Sequence, residues 1–526
     1  MSTTKIPKVP RVPTNEIIPK EKSPNDYNRV LTSRGYAIKK SSLTDQEQKK
    51  LRQELTVTPQ SASRFNAGIQ PFAVYFESPL RFYVPRHWAK EIYGEAELNT
   101  LPEGDSLPEL EFAGKPYDYQ EKIIDDFFRA DSNGLICVPC GKGKTFMALA
   151  IASRIGKRFM IIVDKEFLLN QWKGEMNVFF PNLRIGILQG KKAEVEAEKY
   201  DVTICMLQTL CQKDFPAAIF QSYGFTIFDE CHHLGAAHFS QALLKVQTKR
   251  MLGLSATPVR DDGLTKVFEW YLGKPVYWEK HREADPTVTV KAIMFKNDDT
   301  AYTIEPTDFK GDVVMAKLLT QIVECEERTL AIIRCIRDLG TDPDRRILIL
   351  SERKKHLERI EELLNEQTSG LSVGYYVGGM KESVRDEAGK NARVLLATYA
   401  MASEGMNIKS LNAVILASPR KKVEQSVGRI LRQRPGERVC QPIILDIIDS
   451  HGVYIGQYRK RKTFYKACGY SISSQVWNVS DNTLSVSDSG SDSDASDTDT
   501  SDNDDDNDNA DGQINKSKKH VCGIID

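Results

Sequence analysis

The chain has 526 residues, of which 40% are hydrophobic and 27% charged, a composition typical of globular proteins and long enough for two or three domains. It contains no run of 18 or more apolar residues, and its polar, basic N-terminus lacks an apolar signal segment, so we expect neither a membrane span nor secretion. The ten scattered cysteines then predict reduced thiols in an intracellular compartment.

Charge is distributed unevenly along the chain, although 72 Lys and Arg balance 72 Asp and Glu. Eleven of the Asp lie between residues 485 and 512, in a Ser/Asp-rich stretch without Lys or Arg. The rest of the chain therefore carries an excess of about 11 positive charges, which favours a polyanionic partner such as nucleic acid. An evenly spread surface charge is the alternative interpretation.

The first 112 residues predict two units. Residues 1–24 are rich in Pro and Lys and predict a flexible basic arm. Residues 25–112 predict a small α+β accessory domain, with a strand at 35–39, a helix capped by Thr44 and a hairpin across 72–83. Whether this domain is only a packing module or also binds DNA stays open.

Residues 134–155 predict a strand, a glycine-containing loop and a helix. In a strand–loop–helix unit of this kind, the backbone N–H groups of the loop and the positive N-terminal end of the helix surround phosphate groups. Lys144 then reaches the β- and γ-phosphates, and the Thr145 hydroxyl contacts Mg²⁺. Upstream, a Gln preceded by an aromatic residue predicts a contact with the adenine edge. The predicted ATP-binding residues are Gln120, Pro139, Cys140, Gly141, Lys142, Gly143, Lys144 and Thr145.

Other interpretations of these residues carry less weight. A Gly-rich turn before a core helix has the same local pattern, and Val138 stands where the usual phosphate-binding loop begins with Gly. Cys137 and Cys140 have the spacing of a redox C-x-x-C pair, but the phosphate-binding loop explains the same residues better. Residues 231–233, Cys-His-His, lack a partner cluster at the spacing of a zinc site.

Strands and helices alternate further along the chain and predict one doubly wound parallel-sheet domain over 113–280. One of these strands is expected to end in Gln208 and Thr209. Another is followed by Asp229 and Glu230, at the carboxyl-end edge where such sheets bind ligands. We expect Asp229 to hold Mg²⁺ through water and Glu230 to polarise the water that attacks the γ-phosphate. A helix N-cap is the alternative for this acidic pair.

Residues 281–480 predict a second α/β sheet domain without a phosphate-binding loop of its own, beginning with one long helix over 313–338. Between its last two strands lie four residues with the spacing of one helix face: Gln425, Gly428, Arg429 and Arg432. Each arginine carries a planar guanidinium with several N–H donors, which suits phosphate. We therefore predict that both arginines reach across an interdomain cleft and contact the phosphate in the transition state. A solvated basic helix face is the alternative.

Residues 481–526 form a low-complexity Ser/Asp-rich segment, too polar to bury a core, which predicts a disordered acidic tail. Its acid-flanked serines have the pattern of phosphorylation substrates, but an inert solubilising tail is an equal alternative.

Together these motifs resemble those of a superfamily 2 helicase of the DExH type, over about 350 residues. The matching segments are 119–120 (Q motif), 139–145 (motif I), 229–232 (motif II), 255–257 (motif III), 398–407 (motif V) and 425–432 (motif VI). The resemblance implies an α/β fold of two tandem RecA-like doubly wound domains that close on ATP and Mg²⁺.

Within the superfamily, Pro139-Cys140-Gly141 and Gln171-Trp172 are most similar to one branch. It holds the xeroderma pigmentosum B and phage UvsW helicases and the related helicases of large nucleocytoplasmic DNA viruses. Val138 and Cys231 depart from the usual pattern, and the second departure slightly favours the viral or phage relatives. The resemblance implies 3′-to-5′ movement on DNA and, for a viral protein, a place in the nucleus, host cytoplasm or virion.

The site residues expected from motif and position fall into three groups. The catalytic group is Glu230, Lys144, Arg429, Arg432 and Gln425. The metal group is Thr145 and Asp229. The nucleic-acid group is Gln208, Thr209, Gly378, Gly379 and Thr398.

The expected function is an ATP-dependent helicase or translocase on nucleic acid, with DNA favoured over RNA and with transcription or repair machinery of unknown identity as possible partners. A duplex translocase that never separates strands, an RNA helicase and a non-catalytic nucleic-acid scaffold are the alternatives. Lys144, Glu230 and the two arginines argue against the scaffold, which has no need of them.

Overall fold

The computed structural model describes most of the chain, whereas the predicted arm at 1–24 and tail at 481–526 fall almost entirely outside the described residues. The described residues are 23–60, 70–107, 110–139, 141–235, 240–256, 258–260, 262–279, 284–367, 370–404, 406, 408–431, 433, 436, 438–479 and 483–486.

A small α+β unit precedes two large sheets. Its elements are β1 (Arg29–Thr32), β2 (Gly35–Lys39), α1 (Asp45–Glu54), β3 (Thr56–Val57), β4 (Phe72–Ala73), β5 (Phe76–Glu77), β6 (Arg81–Val84), α2 (Arg86–Tyr93) and β7 (Leu98–Asn99), with short 3-10 turns at Pro24–Asp26 and Lys40–Ser42. Five strands form one sheet in the order β5-β6-β2-β1-β7, while β3 pairs with β4.

Local sequence chemistry sets the elements of this unit. The predicted cap of α1 is confirmed, because Thr44 Oγ1 accepts the Glu47 N–H at 3.3 Å while the Glu47 carboxylate accepts the Thr44 N–H at 2.7 Å. The predicted hairpin is confirmed only for residues 76–84, where β5 and β6 pair. The preceding β4 pairs with β3 instead.

The first large domain contains an eight-stranded sheet whose described strands lie between residues 133 and 278. Its elements are α3 (Asp118–Arg129), β8 (Asn133–Cys137), α4 (Lys144–Ile155), β9 (Phe159–Val163), α5 (Glu166–Phe179), β10 (Ile185–Gln189), β11 (Lys192–Ala193), β12 (Val202–Met206), α6 (Leu207–Gln212), α7 (Ala218–Gln221), β13 (Phe225–Phe228), a 3-10 turn (Cys231–Gly235), α8 (Ser240–Lys245), β14 (Arg250–Ser255), α9 (Thr265–Leu272) and β15 (Pro275–Trp278). The order is β11-β10-β12-β9-β13-β14-β8-β15, and every described neighbour pair except β10–β11 is parallel.

The buried strands of this sheet are apolar on both faces because helices cover both. In β9, Phe159, Ile161 and Val163 join the core beneath α3, α4 and α5, whereas Met160 and Ile162 join the core on the opposite face. The α+β unit shares that second core, so it packs against the sheet instead of projecting from it. The predicted doubly wound fold is confirmed here.

One predicted strand boundary in this domain is wrong. The strand expected to end in Gln208 and Thr209 ends at Met206, and α6 begins at the next residue. The reason is packing, because Leu207, Leu210 and Cys211 are buried at helical spacing on the face of the sheet.

The second large domain contains another eight-stranded sheet whose described strands lie between residues 289 and 486. Its elements are β16 (Thr289–Lys296), α10 (Thr300–Thr303), α11 (Met315–Val323), α12 (Glu326–Gly340), β17 (Ile347–Ser351), α13 (Lys354–Gln367), β18 (Val373–Tyr376), α14 (Glu382–Asn391), β19 (Val394–Thr398), α15 (Tyr399–Glu404), β20 (Ala413–Leu416), α16 (Glu424–Val427), β21 (Ile443–Asp449), α17 (Gly452–Ala467), β22 (Ser471–Asn478) and β23 (Thr483–Val486). The order is β18-β19-β17-β20-β21-β16-β22-β23, parallel except for β23.

The single helix predicted over 313–338 is two helices, α11 and α12. Cys325 between them takes an extended conformation, with φ −69° and ψ 112°. Glu326 and Glu327 follow in the first turn of α12, where their charges favour a new helix N-terminus. No helix in the described part of the chain is long and apolar enough to cross a membrane.

Candidate active site

The glycine-containing loop lies between β8 and α4, as predicted. Gly141 and Gly143 have φ of +89° and +83°, a region that favours glycine. No side chain caps α4, which begins at Lys144, so its first N–H groups suit an anionic ligand. Val138 is buried, and its N–H donates to the Ser255 carbonyl at 3.2 Å. Val138 thus extends the strand and does not need to be glycine.

Gln120 holds this loop from the side. Its Oε1 accepts the N–H of Tyr117 at 3.0 Å, which caps α3, and its Nε2 donates to the Lys142 carbonyl at 3.2 Å. The Tyr119 hydroxyl donates to the same carbonyl at 3.1 Å. A contact between Gln120 and adenine stays a prediction, because the amide here supports the loop. Cys140 lies outside the described residues.

Two exposed aromatic rings flank the loop. Tyr117 and Tyr119 stack with ring centroids 6.1 Å apart and planes 9° apart, and they are 51% and 42% exposed. Flat exposed rings of this kind suit stacking with a nucleobase. Two tyrosines separated by one residue, Tyr117 and Tyr119, could have predicted this pair of stacked rings. The motif pattern, however, gave no role to Tyr117.

Asp229 and Glu230 lie at the carboxyl end of β13, as predicted, and the structure brings Lys144 to them. Lys144 Nζ is 4.0 Å from Glu230 Oε1. Glu230 has φ +43°, a left-handed conformation that costs about 1 kcal/mol or more for a non-glycine residue. Its Oε2 is buried without a hydrogen bond among the described residues. Such strain and an orphaned oxygen are typical of sites that await a ligand.

Burial dominates the electrostatics of Asp229. Together with the neighbouring Glu230 charge, it raises the pKa of Asp229 to about 6, while a hydrogen bond from the Trp172 indole opposes the rise. Hard oxygen donors beside a phosphate-binding loop fit Mg²⁺ bound to nucleotide. Thr145, the second residue of α4, brings a hydroxyl to the same end of the helix. The residues present therefore fit ATP with Mg²⁺.

A serine and a histidine join the acidic pair to the next strand. His232 Nδ1 lies 3.1 Å from Ser255 Oγ and 3.4 Å from Glu230 Oε2. Burial lowers the pKa of His232 to about 4, so the ring is neutral near pH 7. His233 Nδ1 lies 2.6 Å from the buried carboxylate of Asp164. These histidines were not predicted as site residues, since the sequence pattern does not reveal their partners.

The sequence predicted one helix that carries Gln425, Gly428, Arg429 and Arg432 on a single face. This prediction is wrong. α16 has only four residues and ends before Gly428, after which the chain continues in turns. Gln425 is half-buried on this short helix. Arg432 lies outside the described residues.

Arg429 is buried within its own domain. Its Nε donates to the Ala402 carbonyl at 2.6 Å and its Nη1 to the Met406 carbonyl at 3.0 Å. These carbonyls follow β19, so Arg429 braces motif VI against motif V. Spacing alone could not predict this, because the acceptors are backbone atoms more than 20 residues away.

The residues predicted to contact nucleic acid lie at the carboxyl ends of strands in both large domains. Gln208 Nε2 donates to the Asp164 carbonyl at 2.7 Å, and Thr209 Oγ1 accepts the Gly190 N–H at 2.9 Å. In the second domain, Gly378 and Gly379 follow β18, and Thr398 ends β19. No geometry here tests their contacts with nucleic acid, which stay predictions.

A hydrogen bond between described residues joins the two large domains beside a groove. Asn170 on α5 donates to the Glu382 carboxylate on α14 at 2.7 Å. The groove has a volume of about 540 Å³, and its lining includes Arg385, Lys390 and Lys409. The lining also includes Glu382 and Asp386, so both basic and acidic side chains face the seam between the domains.

Two family models match the chain, one in each large domain. Residues 113–260 match the family described as "Type III restriction enzyme, res subunit", and residues 329–434 match the helicase conserved C-terminal domain. The chain is also similar to the Pyrococcus furiosus Hef helicase domain, with a TM-score of 0.45 and 17% identity over 66% of this chain and 98% of that one.

Viral relatives are similar over more of the chain. Two of them are named "Putative ATP-dependent RNA helicase". The one from Acanthamoeba polyphaga mimivirus is 30% identical over 474 residues, 87% of this chain and 88% of the relative. The one from African swine fever virus is 26% identical over 394 residues, 70% of this chain and 76% of the relative.

These similarities define the class of protein. The chain belongs to the superfamily 2 helicases. It is an ATP-hydrolysing helicase and therefore acts on nucleic acid.

Proposed function

We propose that ATP is hydrolysed between the two large domains, with Lys144, Thr145, Asp229 and Glu230 on one wall of the cleft. The observation that carries this proposal is the approach of Lys144 Nζ to Glu230 Oε1, 4.0 Å apart beside the glycine-containing loop. The corresponding division of the chain is an accessory domain over 25–112, a first motor domain over 113–280 and a second over 281–480.

Each residue of the first wall has a distinct role. Lys144 binds the β- and γ-phosphate oxygens, and Thr145 and Asp229 hold Mg²⁺, which supplies positive charge to those oxygens when bound. Glu230 orients the attacking water and accepts its proton. The buried Oε2 of Glu230 supports this role, because it accepts no hydrogen bond among the described residues, with His232 Nδ1 3.4 Å away.

The second wall comes from the other large domain. Arg429 and Arg432, with Gln425 beside them, stabilise the charge that develops on the transferred phosphoryl group. Arg429 is bonded to its own domain in this structure. We therefore propose that domain closure on ATP brings this wall to the loop and that hydrolysis releases it.

We favour DNA as the polymer, bound through its backbone by Gln208, Thr209, Gly378, Gly379 and Thr398 without sequence readout. The resemblance of motifs I and II to the xeroderma pigmentosum B and UvsW branch supports DNA and 3′-to-5′ movement. The excess of about 11 positive charges outside residues 485–512 supports a polyanion. The second candidate is RNA, which the names of the mimivirus and swine fever virus relatives favour.

Strand separation on matched duplexes tests the choice of polymer. DNA and RNA duplexes of identical sequence, each blunt or with a 3′ or 5′ overhang, are incubated with ATP, and Lys144→Ala serves as control. We expect ATP-dependent unwinding of DNA with a 3′ overhang that Lys144→Ala lacks. If only the RNA duplex is unwound, RNA and not DNA is the polymer on which the protein acts. ATP-dependent displacement of a bound third strand from DNA, without unwinding, would indicate a duplex translocase.

A further inference from the structure

Trp172 lies on the buried face of α5, together with Leu168, Leu169 and Met176. None of its surface is exposed, and its indole Nε1 lies 2.8 Å from Asp229 Oδ2. A buried indole N–H requires an acceptor. Here the acceptor is a carboxylate at the edge of the candidate active site, 57 residues further along the chain.

Two donors hold the oxygens of Asp229 from different directions. Trp172 donates to Oδ2, and the backbone N–H of Glu230 donates to Oδ1 at 2.9 Å. Rotation of the carboxylate would break at least one of these bonds, so its plane is fixed. An ionised carboxylate has about four lone-pair sites, and each oxygen keeps one for a hydrogen from a metal-bound water.

We propose that Trp172 is a positioning residue that orients Asp229 for the hydration shell of nucleotide-bound Mg²⁺. This inference rests on the proposed role of Asp229 in holding Mg²⁺. Without the indole N–H, the carboxylate keeps only one donor among the described residues and turns away from the orientation that the metal-bound water requires. Trp172 itself touches neither nucleotide nor metal in this account, so its effect is transmitted through Asp229.

A purely structural role is the alternative, because any buried tryptophan contributes to packing. Trp172→Phe removes the N–H and part of the ring, and Trp477→Phe is the matched control. Trp477 is 2% exposed in the core of the second domain, whereas the glycine-containing loop belongs to the first. Asp229→Asn completes the set, since it tests whether Asp229 holds the metal at all.

The experiment measures binding of a fluorescent ADP analogue to the full-length protein across a Mg²⁺ titration, with binding in EDTA as reference. A hydrogen bond to a charged group is worth enough to change an equilibrium about tenfold or more. We therefore expect Trp172→Phe to raise the half-saturating Mg²⁺ concentration about tenfold, with binding in EDTA unchanged. Trp477→Phe should leave the Mg²⁺ requirement unchanged.

The outcomes separate this inference from the proposed function. An unchanged Mg²⁺ requirement in Trp172→Phe, with a raised one in Asp229→Asn, overturns the role of Trp172 alone. An unchanged requirement in both variants overturns the role of Asp229. An equal rise in Trp172→Phe and Trp477→Phe indicates general loss of packing and also overturns the inference.

A second measurement keeps the inference falsifiable if Trp172→Phe does not fold. The wild-type protein is labelled with 5-fluorotryptophan, and its Trp172 resonance is assigned by elimination from Phe variants of the other four tryptophans. We expect addition of Mg²⁺ to the ADP-bound protein to shift the Trp172 resonance and not that of Trp477. No shift at Trp172 would contradict the proposal.

Discussion

The Oγ of Ser255 lies 3.1 Å from Nδ1 of His232, so the last residue of β14 is bonded to the segment that follows β13. The carbonyl of the same serine accepts the N–H of Val138 at 3.2 Å. Ser255 thus links the strand before the phosphate-binding loop to the segment that carries the acidic pair.

Ser255→Ala should lower ATP turnover without unfolding the protein. The variant loses the hydrogen bond to His232, and one such bond is worth about 0.5–1.5 kcal/mol, which we expect to appear as a three- to tenfold fall in kcat of about the same free energy. Steady-state ATP hydrolysis with saturating DNA measures it.

Ser351→Ala is the matched control for this variant. Ser351 ends β17 in the second domain, and its Oγ lies 3.0 Å from Nδ1 of the buried His356 and also accepts the Arg353 N–H at 3.2 Å. Ser351→Ala should therefore lose at least as much unfolding free energy as Ser255→Ala, about 1 kcal/mol or more. Equal kcat in both variants would show that the Ser255 contact has no part in turnover.

Asp229 and His232 should give opposite pH dependences of stability. Asp229 has a folded-state pKa of about 6, above its ordinary 3.8, so the folded state holds this proton more tightly than the unfolded chain does. Acidification from pH 6 to 4 therefore stabilises the folded state relative to the unfolded chain through Asp229. His232 has a folded-state pKa of about 4, below its ordinary 6.5, so acidification over that window destabilises the fold. The two contributions oppose each other.

Urea unfolding between pH 4 and 7 separates the two groups. Asp229→Asn should lose stability more steeply on acidification than the wild type, and His232→Asn should lose it less steeply. Each difference should reach about 2–3 kcal/mol for a shift of about two pKa units. Parallel pH profiles for the wild type and both variants would contradict the burial of these groups.

Arg429→Lys tests whether Arg429 acts on phosphate or only braces the fold. Lysine keeps the charge but cannot form the two fork-like bonds to Ala402 and Met406. If Arg429 acts on the transition state, kcat should fall about 10³-fold. If it is only a brace, the fall should match that of Arg346→Lys, a residue of the same domain whose guanidinium also binds backbone carbonyls.

Arg86 should determine how the α+β unit is attached to the first large domain. It is 6% exposed and donates to the Thr248 carbonyl at 2.9 Å and to Asn133 Oδ1 at 2.8 Å. Arg86→Met removes the buried guanidinium that donates to these acceptors, so we expect a loss of about 2–4 kcal/mol in unfolding free energy.

Hydrogen exchange locates the effect of Arg86→Met. Exchange should become faster in α9, which packs against α2, as well as in the α+β unit. Arg81→Met is the control, because the described carbonyls that Arg81 binds lie within the α+β unit, those of Pro24 and Tyr27 among them. Equal exchange in α9 for both variants would show that Arg86 does not hold the two units together.

Much of the fold was predictable because its signals are local. The strand, loop and helix around Lys144 follow from a β-branched run, two glycines and an alanine-rich segment. The Thr44–Glu47 cap and the placement of Asp229 at a strand end likewise depend on neighbours in sequence. These features agree with the structure.

The features that were missed depend on tertiary contacts. α6 was predicted as the end of a strand because short apolar runs fit either structure until the surface they bury is known. The long helix was predicted without its break because Cys325 carries no strong breaking signal. The partners of Trp172 and Arg429 lie 57 and more than 20 residues away, so no local pattern reveals them.

The most direct test of the ATP site is steady-state ATP hydrolysis by the wild type and Glu230→Gln, with and without DNA. Glutamine keeps the size of the side chain but cannot accept the proton of the attacking water. We expect DNA to stimulate the wild type strongly, and Glu230→Gln to bind nucleotide normally yet lose turnover by about 10²-fold or more. Equal turnover in the two proteins would contradict the assignment of Glu230 and of the cleft built around it.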